Sequence, residues 1–95
     1  MPTIAAQDIE KNITALEHKV SKKFSRTFCN TSGFGISDEG SLKFALGETK
    51  GEFSKKPLIE QIDMDDLKDL ILDDIANTCS YFELAKSDLD ELKLK

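Results

Sequence analysis

The pattern of apolar and polar positions is most regular between residues 63 and 85, DMDDLKDLILDDIANTCSYFELA. On a helical projection Met64, Leu67, Leu70, Ile71, Ile75, Thr78, Tyr81, Phe82 and Ala85 gather on one side. Asp65, Asp66, Asp69, Asp73 and Glu83 fall on the other. Asp63 is placed to cap the free N–H groups of the first turn, and Asp66 stands at the third position of a weak capping box. Ile62 and Leu67 flank that cap at the spacing of a hydrophobic staple. The stretch predicts a long amphipathic acidic helix.

A second helical pattern covers residues 5–24. Ala6, Ile9, Ile13, Leu16 and Val20 recur at alternating steps of three and four, the period of a heptad seam, and Phe24 continues the face. The run is too short for a sustained coiled coil. It reads either as a helix packed on the rest of the domain or as a candidate dimer seam built on Ile9, Ile13, Leu16 and Val20. Lys22 and Lys23 close it where the helix dipole favours cations.

Between residues 26 and 54 the pattern changes. Glycines stand at 33, 35, 40, 47 and 51, and phenylalanines at 28, 34, 44 and 53. FGISDEGSLKF, residues 34–44, reads as a hairpin whose Asp38-Glu39-Gly40 loop places Gly40 in the left-handed region. In that register Ile36 faces Leu42 and Phe34 faces Phe44, so both apolar pairs share a face. Further strands are expected near residues 26–30 and 51–53, because a lone hairpin is marginal in water. Pro57 takes the chain out of the sheet into a connector. Near the end, Ser87 is placed to cap a short helix over residues 88–94, unless that segment frays. The fold class this predicts is α+β: an N-terminal helix, an antiparallel β-hairpin or three-stranded sheet, the long acidic helix, and a short C-terminal helix.

Composition narrows the class. Ninety-five residues make a single domain with one modest core. With 39% hydrophobic and 33% charged residues the chain suits a soluble globular protein. No apolar run approaches a membrane span, and MPTIAAQDIEK lacks the features of a signal peptide, so a cytoplasmic protein is expected. In that compartment Cys29 and Cys79 read as two reduced, part-buried small residues rather than a disulfide. The sequons at Asn12 and Asn30 are then coincidental.

The net charge of −5 is uneven: residues 57–95 carry −7 and residues 1–56 carry +2. An acidic protein repels nucleic-acid phosphate, so no direct nucleic-acid binding is expected, and a basic protein surface is the natural partner. Neither a membrane partner nor a cofactor is implied.

Few residues carry recognisable chemistry. Two cysteines and one histidine, widely spaced, do not make a zinc site. The aspartates lack the calcium-loop pattern, and the glycines lack a phosphate-loop pattern, so no metal site is expected. His18 falls off the apolar face and has no acid or nucleophile in register. Asp74 lies at the edge of the apolar face and should find a Ser, Thr or Tyr partner or reach water. These features point away from an enzyme.

Asp65, Asp66, Asp69, Asp73 and Glu83 are the candidate binding residues. Like charges three and four apart on a helix repel, and a basic partner would relieve them. The expectation is a small acidic module whose helix docks on a basic protein surface, as inhibitors, immunity proteins, antitoxins and DNA mimics do. The alternative is a self-associating, chaperone-like homodimer built on the first helix.

Overall fold

A computed structural model describes residues 2–79 and 84–94, with side chains from residue 9 onward. Three α-helices, α1 (Pro2–Gly33), α2 (Asp38–Phe53) and α3 (Met64–Thr78), are joined by short connections, with 3₁₀ turns at Ile59–Gln61 and Lys86–Leu89. No strand occurs among the described residues. The α+β expectation is therefore corrected to an all-helical fold, and neither the hairpin nor the three-stranded sheet exists there.

The reason lies in Ser37 and in the buried positions after it, most of them small or polar. Ser37 is a helix N-cap: its Oγ accepts from the Gly40 N–H at 3.1 Å. Asp38 and Glu39 then fall in the first turn, where the helix dipole favours acids. The buried residues of α2 are Ser41, Ala45, Thr49 and Phe53, each four after the last. This is helical spacing, but three of the four are too small or polar to register as a hydrophobic stripe. The alternation of Phe34, Ile36, Leu42 and Phe44 that suggested cross-strand pairs is misleading, because Phe34, Ile36 and Phe44 point outward. Gly40 is not left-handed either. The positive φ is at Gly35, 91°, where the chain leaves α1 through Phe34 N–H to Asn30 C=O and Gly35 N–H to Ser32 C=O bonds.

α1 is the spine. At 1.5 Å per residue its 32 residues span about 48 Å, close to the longest dimension of the molecule, 52 Å. α2 and α3 are about half as long and pack on α1 rather than on each other. α2 runs antiparallel to α1, as the Lys23–Glu52 ion pair near the far end from the turn shows. α3 runs parallel to it, since Ser21 meets Asp74 and Cys29 meets Cys79. Val20, Phe24 and Phe28 of α1 are fully buried, as are Leu67 and Ile71 of α3. On the side facing α3, α1 carries the stripe Ser21, Ser25 and Cys29, all small and all buried.

α3 begins as its sequence indicates. Asp63 Oδ1 accepts from the Asp65 N–H at 2.9 Å and from the Asp66 N–H at 3.3 Å. It ends at Thr78, earlier than the periodicity indicates. Tyr81 and Phe82 lie outside the described residues. Beyond them the chain doubles back, and Leu89, Leu92 and Leu94 are buried. The C-terminal segment is thus neither a frayed tail nor a helix over residues 88–94. It is a 3₁₀ turn held by Asp88 Oδ2, which accepts from the Ala85 N–H at 2.8 Å.

Cys29 and Cys79 are joined by a disulfide, with Cα atoms 5.8 Å apart, so the expectation of reduced cysteines is also corrected. Each falls at the end of a helix, and the parallel course of α1 and α3 brings those ends together. The bond closes a loop across a sequence separation of 50, for which the chain-entropy relation gives about 4 kcal/mol.

Candidate functional site

The predicted acidic face exists on α3, but its members are not equivalent. Lys86 reaches back from the C-terminal segment and bridges Asp65 at 2.8 Å and Asp69 at 3.0 Å. Lys68 pairs outward with Asp90 at 2.8 Å. Two of the five candidate binding residues therefore clamp the C-terminal segment to α3. Asp66 and Asp73 are exposed and have no ion pair among the described residues. Glu83 lies outside the described residues.

The titration shifts trace the same layout. The hydrogen bond and charge of Lys86 hold the Asp65 carboxyl below its ordinary value of 3.8. The bonds that Lys86 donates to Asp65 and Asp69 hold its ammonium above the ordinary 10.5. A lowered carboxyl stabilises above its unfolded value, and a raised ammonium stabilises below its own. The clamp contributes fully between those two values, and is lost as the pH falls through the lowered Asp65 value or rises through the raised Lys86 value. Its members are exposed, so the contribution is small. Burial pushes the Glu17 carboxyl up, and the charges of Asp66 and Asp63 push the same way against His18. The N-terminal end of α3 is thus a region of negative potential felt across the α1 contact.

Asp74 takes the structural role expected of it. Ser21 Oγ, fully buried, donates to Asp74 Oδ2, which ties α1 to α3.

The seam residues are divided by depth. Val20 is fully buried, Leu16 and Ile13 pack against the core, and Ile9 is 48% exposed. The face that would pair two copies is largely used inside the monomer.

The other conspicuous surface lies between α1 and α2. A cleft of about 650 Å³ is lined by Lys19, Lys22, Lys23, Arg26 and Lys56, with Glu52 as the one acid. Glu52 pairs with Lys23 at 3.5 Å. A neighbouring cleft of about 560 Å³ is walled by Phe34, Ile36 and Phe44. Thr27 and Asn30 line both, so the two clefts adjoin along α1 as the two parts of one trough. Part of this was legible: positions 19, 22, 23 and 26 follow helical spacing and make a basic stripe on α1. Lys56 and the aromatic end join it only because α2 folds back antiparallel.

Among the described residues no three His, Cys, Asp or Glu side chains gather as a metal site. None of the described helices is long and apolar enough to cross a membrane. Compared with protein-family models, curated proteins and solved structures, the chain matches none.

Proposed function

We propose that this protein is a small helical protein-binding module and that the outer face of α3 docks on a basic partner surface. The observation that carries this reading is the pair Asp66 and Asp73. Both are exposed and without an ion pair among the described residues, beside Asp65 and Asp69, which share one lysine. Unrelieved like charges along one helix favour a cationic partner, and they accelerate its association more than they deepen its affinity. Of the candidate roles, an inhibitor or an immunity protein would use such a face and accords with the disulfide, whereas an antitoxin or DNA mimic would work in a reducing cytosol. A non-catalytic role fits the same surfaces: His18 is exposed, and both cysteines are bonded to each other. The homodimer alternative loses support from the burial of Val20 and the inward packing of Leu16. The Cys29–Cys79 bond argues for an oxidising compartment rather than the cytoplasm expected from the sequence.

The test uses a lysine-rich peptide as the basic probe, titrated at several salt concentrations. Asp66→Asn with Asp73→Asn removes two charges and breaks no ion pair among the described residues. Weaker binding at low salt and a shallower salt dependence are expected. Equal binding by both proteins would show that the face is only solvated.

A further inference from the structure

We infer that the trough between α1 and α2 is a second docking site, for an acidic polypeptide segment that carries a bulky apolar side chain toward one end. Its cationic end is dense. Lys19, Lys22, Lys23 and Arg26 stand three or four residues apart on α1, and Lys56 joins them from the connector after α2. Among the described residues Lys23 alone of these is paired, to Glu52. Lys19, Lys22, Arg26 and Lys56 have no ion pair among the described residues, so repulsion along the helix goes unrelieved until carboxylates arrive.

The other end is mostly apolar and open, with Glu48 as its one charged residue. Phe34 is 86% exposed, Phe44 52% and Ile36 47%. Scattered apolar side chains are ordinary on a surface, but three large ones around a single cleft mark a contact site. From Lys19 to Phe34 the trough runs about 22 Å along α1. Roughly seven extended residues, or fifteen helical ones, would span it.

The separation of the two ends selects the occupant. A nucleic-acid strand carries a phosphate at every nucleotide, and its binding sites interleave cations with stacking aromatics. Here cations and aromatics are segregated, and the net charge of −5 adds repulsion against a long polyanion. A bilayer is flat and calls for a convex contact, whereas this site is a concave channel between two helices. A polypeptide can place acids at one end and an apolar anchor at the other. The anchor supplies most of the affinity, and the charges fix direction and register.

The test is fluorescence anisotropy on the full chain with two labelled peptides of equal composition. One has its acids in one half and a Leu-Phe pair at the far end, and the other interleaves them. The segregated peptide should bind at least tenfold more tightly. Lys22→Glu with Arg26→Glu should weaken it tenfold or more at low salt and flatten the salt dependence. Phe34→Ala with Phe44→Ala should weaken it at every salt concentration. All four residues are exposed, so these variants keep the fold, which circular dichroism checks. Asp66→Asn with Asp73→Asn should leave this binding unchanged, which separates the trough from the α3 face. Equal affinity for the interleaved peptide would overturn the assignment. So would tighter binding of oligo-dT or of phosphatidylserine vesicles. Self-association in sedimentation that Lys22→Glu with Arg26→Glu abolishes would make a second copy the occupant and equally refute it.

Discussion

α2 and α3 are nearly equal in length, 16 and 15 residues, and each packs on α1 through a stripe of every fourth residue. In α3 the buried stripe is Leu67, Ile71 and Ile75. In α2 it is Ser41, Ala45, Thr49 and Phe53. The geometry is the same, but the side chains that deliver it are not. α3 is held by apolar area removed from water. α2 presents three small or polar side chains and only one large one, Phe53, to the core. Of its two phenylalanines, Phe53 is buried in the stripe and Phe44 is left half exposed at the trough. A helix can thus be amphipathic by size as well as by hydrophobicity, and only the second kind is conspicuous in a sequence.

The largest expected effect probes α3. Ile71 is fully buried, so Ile71→Ala removes transfer free energy and leaves a cavity, with a loss of about 2–5 kcal/mol in urea denaturation. A loss under about 1 kcal/mol would mean that α3 does not rely on its large stripe. The converse change probes α2. Ala45 is fully buried, and Ala45→Leu forces a branched side chain into the close helix contact. The expected loss is about 1–3 kcal/mol by the same assay. A neutral result would mean that α2 and α1 have slack between them and that small size is incidental.

The smallest effect concerns the helical backbone of α2. Gly47 lies in mid-helix, and a Cβ there would meet nothing within 4 Å. Gly47→Ala should therefore stabilise by about 0.5–1 kcal/mol, read as a rise in the urea midpoint at constant slope. Gly40 is the internal contrast. A Cβ at Gly40 would approach Ile36 Cγ2 to 2.9 Å, so Gly40→Ala should not share the gain. If both substitutions stabilise equally, the approach of Ile36 to the start of α2 is looser than described.

The difference between the two helices also explains how far the sequence could be read. Asp63 capping α3, the burial of Leu67, Ile71 and Ile75, and the need of Asp74 for a hydroxyl partner follow from local spacing and elementary chemistry, though the partner itself, Ser21, was set by how α1 packs. Ser37 followed by Asp38 and Glu39 is an equally local cap signal for α2. It was masked because Asp-Glu-Gly is also a good hairpin loop, and the flanking phenylalanines fitted a sheet face. The acidic residues were legible as a group. Their division into clamped Asp65 and Asp69 and unpaired Asp66 and Asp73 was not, because Lys86 is distant in sequence.

By itself the sequence determined the middle of α1 over residues 5–24, the start of α3, the acidic balance of the C-terminal half and the apolar core of α3. Each of these depends on residues within a few turns of one another. Residues 26–30 and 51–53, expected as strands, instead lie in α1 and α2, and α3 stops at Thr78 rather than at residue 85. Tertiary structure alone decided the remainder. It set α2 antiparallel along α1, which joined a basic stripe to an aromatic cup in one trough. It laid α3 parallel to α1, which brought Cys29 to Cys79. It folded the C-terminal segment back, which spent Lys86 on two aspartates. The physical reason is common to all three: pairings between residues distant along the chain depend on how helices pack, and packing is set by the fit of side-chain sizes between elements, which no periodicity within one element records.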